Sequence, residues 1–91
     1  MQRDAILSAA SEIICGDREA EYGPPKSNFT DIGNLWATYL SGARGVEVNL
    51  SAQDVAYLLM LMKLARTYHG PPSDNTSIDL VGYAALAGEV G

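Results

Sequence analysis

The stretch Ser51–His69, SAQDVAYLLMLMKLARTYH, decides the fold. It is the longest apolar run in the chain, and Val55, Leu58, Leu59, Met62 and Ala65 recur in it at helical spacing. Ser51 stands where an N-cap belongs. Asp54, three positions on, can close a capping box with a carboxylate at the positive end of the helix dipole. Tyr57, Leu61 and Leu64 cover the opposite side, so the helix is apolar nearly all round. Such a helix is either central in its domain or shared with another subunit. Two cations interrupt it. At about 100° per residue, Arg66 falls in the middle of the Val55/Leu59/Met62 stripe, with Lys63 at its shoulder.

On the C-terminal side, His69-Gly70-Pro71-Pro72 ends this helix. Ser73 to Ser77, SDNTS, is a capping cluster, and Thr76 with Asp79 makes a second capping-box candidate. A last helix is expected over residues 77–89, carrying Ile78, Val81, Ala85 and Leu86. Gly82, Ala85 and Gly88 stand at i, i+3 and i+6, small residues that permit close approach of a neighbour.

On the N-terminal side lies SGARGVEVN, a glycine-bearing connection in which Val46, Val48 and Leu50 alternate too briefly to make a strand. Before it, Ser27 can cap a helix over residues 28–40, with Phe29, Ile32, Trp36 and Leu40 on one face. The first helix is expected over residues 3–15, with Ile6, Ala9, Ala10 and Ile13 as its stripe and Gly16 as its stop. One step further would bring Asp17 onto that stripe. Residues 16–26, GDREAEYGPPK, read as a polar loop, because Gly23-Pro24-Pro25 forbids helix and Tyr22 anchors the turn. The expected architecture is all-α: a compact four-helix bundle-like domain spanning residues 1–91.

Composition narrows the function. With 91 residues the chain makes one domain with a modest core, and an apolar share of 47% argues against disorder. A net charge of −5 argues against non-specific binding to nucleic acid or anionic membrane, both of which need a basic face. Cys15, the single cysteine, permits no internal disulfide and fits a reducing cytoplasm. No run approaches the length of a membrane span, and the first residues, MQRDAILSAAS, are too polar for a secretory signal. The expected location is therefore cytoplasmic. The Asn-x-Ser/Thr triplets at Asn28, Asn49 and Asn75 then carry no weight.

The polar residues admit competing readings. Lys63 and Arg66 could form an anion pocket, since a half-buried guanidinium must find a carboxylate or phosphate. They could equally pair with Asp79 or Asp17 from a neighbouring helix, or snorkel out at the helix end. Asp79 and Tyr83 share a face of the last helix, where capping with Thr76 and core packing are their structural alternatives. Tyr22, in the GDR-x3-YG stretch, either borders a site or anchors a solvated loop. Metal chemistry lacks support: His69 stands alone at a helix end, and no HExxH, Cys/His cluster or EF-hand loop occurs. Cys15 has no histidine nearby in sequence to activate it, and neither phosphate-binding glycine motif is present.

Taken in order, Gly16-Asp17-Arg18, Tyr22-Gly23, Pro25, Asn28-Phe29, Trp36, Asp54-Val55, Lys63, Ala65-Arg66 and Ile78-Asp79-x3-Tyr83 resemble a small family of phage and prophage proteins of unknown function. The resemblance spans nearly the whole chain. It implies a phage or prophage origin and a host-cytoplasm location, and it supplies no reaction. A more distant likeness is to the all-α nucleotide pyrophosphohydrolases of the MazG type, which hold magnesium with a paired ExxE and a later ExxD. This chain has neither motif.

The leading expectation is a homo-oligomer that binds an anionic small ligand such as a nucleotide or nucleotide-like signal. The candidate ligand-binding residues are Lys63, Arg66, Tyr22, Asp17, Arg18, Asn28, Asp79 and Tyr83. Lys63 and Arg66 would neutralise phosphate, the tyrosines would border a base, and the remaining polar groups would fix orientation. No cofactor is expected. Two alternatives stay open. One is a divergent magnesium-dependent pyrophosphohydrolase using Asp17, Glu21, Asp54 or Asp79. The other is a protein-interaction module with an apolar patch around Trp36, Tyr39 or Met60.

Overall fold

A computed structural model describes all residues 1–91 and is helical throughout, without strands. Four helical rods are present. The first is composite: α1 (Arg3–Glu12) runs into a π-helical turn at Ile13–Asp17 and on into α2 (Arg18–Tyr22). The others are α3 (Pro25–Arg44), α4 (Ala52–Ala65) with a 3₁₀ turn at Arg66–Tyr68, and α5 (Asp74–Val90). The all-α, four-helix expectation holds.

The rods lie side by side. α4 packs along α5, α1 flanks α5 and α3 flanks α4, giving a domain of 46 × 32 × 20 Å. The core sits where α3, α4 and α5 meet, around Phe29, Val55, Ala56, Leu86 and Val90. Phe29, Val55 and Leu86 are fully buried, each worth about 1.5–3 kcal/mol of apolar burial. α4 thus packs against both α3 and α5, while Tyr57, Leu61 and Leu64 on its other side stay exposed. The capping box at its start is formed: Asp54 N–H donates to Ser51 Oγ at 3.0 Å, and Ser51 N–H donates to Asp54 Oδ2 at 2.9 Å.

Gly33 explains how α3 and the 45–51 connection fit together. A Cβ there would lie 2.9 Å from the Leu50 carbonyl oxygen and 3.2 Å from Val55 Cγ2, so only glycine admits that approach. Val46, Val48 and Leu50 form no strand. Ser41 Oγ instead accepts the Val48 N–H at 2.9 Å and pins the connection to α3.

Several expected boundaries move. Gly16 does not end the first helix, and residues 16–22 are not a loop. The chain stays helical through a π turn, because Ile14 and the neighbouring residues pack on α5, and the break comes at Gly23 with φ of +79°. Ser27 caps nothing; Pro25 starts α3 at its first position, where a missing N–H costs little. The capping box of α5 uses Ser73 with Thr76 rather than Thr76 with Asp79, which starts that helix three residues earlier than expected. Arg66 lies beyond the end of α4 on the 3₁₀ turn and is exposed, so it does not share the buried stripe with Val55. Gly82 is buried against Ile14, whose Cγ2 would lie 3.2 Å from an added Cβ, whereas Ala85 and Gly88 face solvent. Gly82 therefore packs within the chain.

Candidate functional site

Between the π turn and α5 lies a cavity of about 60 Å³, lined by Ala10, Ile13, Ile14, Arg18, Ile78, Asp79, Gly82, Tyr83 and Leu86. Its walls are mostly apolar, and its polar groups are one guanidinium, one carboxylate and one phenol. The π turn sets which residues arrive there. Its wider i→i+5 turn advances each residue by less than an α-helix does. Ala10, Ile14 and Arg18 consequently line up on the cavity, and Asp17 is left exposed. An undisturbed α-helix would have carried Asp17 inward.

Arg18 is held from several sides. Its Nη2 donates to Asn28 Oδ1 at 3.0 Å. Its guanidinium carbon lies 4.6 Å from the centre of the Phe29 ring and 5.4 Å from that of Tyr22. Both distances are within cation–π range. Tyr22 reaches it because the two stand at i and i+4 on one helix. The other terminal nitrogen, Nη1, is buried and has no hydrogen-bond partner. No carboxylate pairs with this arginine: the ion pairs of the chain are Lys63–Asp79 and the N-terminal amine with Asp74. A buried charged donor left unmatched costs at least about 1–3 kcal/mol, so Arg18 is positioned but unsatisfied.

Lys63 reaches across from α4 to Asp79 on α5, Nζ to Oδ2 2.8 Å, both half-buried. Of the readings open for the two α4 cations, Lys63 takes the ion pair and Arg66 takes the solvent. The ion pair matters for the cavity: Asp79 lines it, and Lys63 neutralises a carboxylate that would otherwise repel an anion. Arg18, Lys63 and Asp79 together leave one net positive charge there, on a chain whose total is −5.

The structure therefore gathers Arg18, Asn28, Tyr22, Asp79, Tyr83 and Lys63 into one neighbourhood. Asp17 and Arg66 are exposed and line no part of the cavity. The apolar walls, and Phe29 as a platform for Arg18, were absent from the expected set. The i, i+4 spacing of Arg18 and Tyr22 was the available signal, hidden by reading residues 16–26 as loop. Asp17, Glu21, Asp54 and Asp79 do not converge, since no three His, Cys, Asp or Glu side chains are grouped as metal ligands would be. No helix is long and apolar enough to cross a membrane.

Fold and cavity together define a small all-α protein with a mostly apolar pocket built around a single unpaired arginine. The chain belongs to the family described as "Domain of unknown function (DUF6378)", which matches residues 5–91. It is similar to the Gene 55 protein of Mycobacterium phage L5, 39% identical over 82 residues, covering 90% of this chain and 49% of that protein. It is likewise similar to the Gene 55 protein of Mycobacterium phage D29, 38% identical over 81 residues, covering 89% of this chain and 50% of that protein. The chain thus spans about half the length of these relatives. No solved structure matches. The expected membership in a phage-type family of unknown function holds.

Proposed function

We propose that this protein binds an anionic small molecule, of the nucleotide or nucleotide-like class, by seating one phosphate or carboxylate oxygen against Arg18. The observation that carries this reading is the buried Nη1 without a partner. Charged donors are buried where something pairs with them, and an oxyanion is the natural complement of a guanidinium. Stacking on Phe29 and Tyr22 and the bond to Asn28 hold the group in place before a ligand arrives, which lowers the ordering cost of binding.

Size constrains the ligand. Sites that enclose a drug-sized molecule measure about 300–1,000 Å³, so a cavity of about 60 Å³ takes one group of it. The rest lies outside, where Tyr22, 54% exposed, offers a face for a base. Tyr83 adds a phenol for orientation, and Lys63 acts through Asp79. Arg66 and Asp17 have no part in this reading.

The test is a thermal-shift screen of the wild type and Arg18→Met against inorganic phosphate and mono-, di- and cyclic nucleotides, each with and without magnesium. A ligand at about a hundred times its dissociation constant adds roughly 2.7 kcal/mol, a shift on the order of 10 °C or more for a domain of this size. The expected result is a magnesium-independent shift that Arg18→Met abolishes. No shift, or an equal shift in the variant, overturns the reading. A shift that requires magnesium transfers the site to the pyrophosphohydrolase alternative.

A further inference from the structure

The chain exposes more surface than its mass accounts for. A folded monomer of 9.7 kDa has an accessible area of about 5,100 Å² by the usual scaling, and this one has 6119 Å². Its radius of gyration is 14.5 Å, against about 12 Å for a compact chain of this length. The excess of about 1,000 Å² is close to the roughly 800 Å² that each partner buries in a standard interface.

Part of the excess is apolar, with Leu35 and Tyr39 exposed on α3 and a longer, regularly spaced stripe on α4. The side of that helix turned away from Val55 and Ala56 carries Tyr57, Leu61 and Leu64 at intervals of four and three, flanked by Leu58 and Ala65. Tyr57 is 50% exposed, Leu61 60% and Leu64 45%. The four-three spacing is that of a knobs-into-holes seam. No charge interrupts this side between Asp54 in the first turn and the end of the helix.

We infer that a second copy of this chain covers the seam, with α4 lying antiparallel against α4 of its partner about a two-fold axis. A two-fold places the same patch on both sides, which suits a self-complementary apolar stripe. Charge selects the direction. α4 has Asp54 in its first turn and the exposed Arg66 just beyond its last, so antiparallel pairing sets the acidic end of one helix beside the basic end of the other and opposes their dipoles. The seam shares no residue with the cavity, so this inference stands or falls independently of ligand binding.

Size-exclusion chromatography with light scattering tests it on the intact chain. The expected mass is about 19.4 kDa, twice 9.7 kDa, at about 100 µM, a concentration at which a micromolar dimer is saturated. Leu61→Glu and, separately, Leu64→Glu are expected to give monomers with unchanged helical circular dichroism. Leu7→Glu, at an exposed leucine on α1, is expected to leave the dimer intact. A monomeric wild type overturns the inference and leaves the seam for an unlike protein. An assembly of any size that survives both α4 variants also overturns it, and if Leu35→Glu then disperses that assembly, the interface belongs to α3. Should either glutamate unfold the chain, Leu61→Ala replaces it. That variant is expected to weaken the dimer about tenfold or more, the usual mark of a buried anchor, and an unchanged dissociation constant refutes the seam.

Discussion

Arg18→Met asks whether the arginine is a strut or a waiting ligand group. In the unliganded protein the change removes a charged hydrogen bond to Asn28, worth about 2 kcal/mol. It also removes cation–π contacts with Phe29 and Tyr22, together worth about 1.5 kcal/mol at this degree of burial. Against these losses, it deletes the unpartnered Nη1, whose burial costs about 2 kcal/mol. The thioether recovers about 1 kcal/mol of sulfur–aromatic contact with the same rings. Losses and gains nearly cancel, so the variant should unfold within about 1 kcal/mol of the wild type. Urea denaturation followed by far-UV circular dichroism reads this directly from the midpoint, at an unchanged slope. A loss of more than about 3 kcal/mol would refute the reasoning, because it would mean that Nη1 is satisfied in the free protein and that Arg18 is a structural tie.

Two glycine substitutions should move in opposite directions. Gly33→Ala forces a Cβ against the Leu50 carbonyl, backbone that cannot give way, and should cost about 1–3 kcal/mol. Gly88→Ala, exposed in α5 with nothing near its added Cβ, should gain about 0.5–1 kcal/mol. Denaturation midpoints that shift the same way would contradict the packing described at Gly33. A double-mutant cycle of Lys63→Met and Asp79→Asn should return a coupling of about 1 kcal/mol or more, above most exposed pairs, because both partners are half-buried. A coupling indistinguishable from zero would show that water screens the pair.

The parts of this fold that were legible in sequence are those governed by local rules. The α4 capping box depends on two residues three apart, and the apolar spacing of α4 depends only on helical period; both are present as read. The α1–α2 rod was not legible. A pattern reading assumes a constant residue advance, and the π turn at Ile13–Asp17 changes it midway, so a glycine within the turn looks like a stop. The tertiary contact of Ile14 with Gly82, which overrides the local preference of Gly16, lies far away in sequence. At the site, the Lys63–Asp79 pair was one of the pairings that residue types allowed, and geometry chose it. Arg18 was named for its place in a motif, but its burial could not be read, because that depends on Asn28 and Phe29 arriving from another helix.

The π turn also bears on how this chain can change length. It holds one residue more than an α-helix would over the same path, and it returns to regular helix at Arg18. Deleting that extra residue would leave Arg18 three positions after Ile14 in an unbroken α-helix, on the same side and facing the same cavity. The rod therefore tolerates the loss of one residue without moving its guanidinium. Homologues one residue shorter between Ala10 and Arg18 should share the pocket and differ only in the pitch of the helix leading to it.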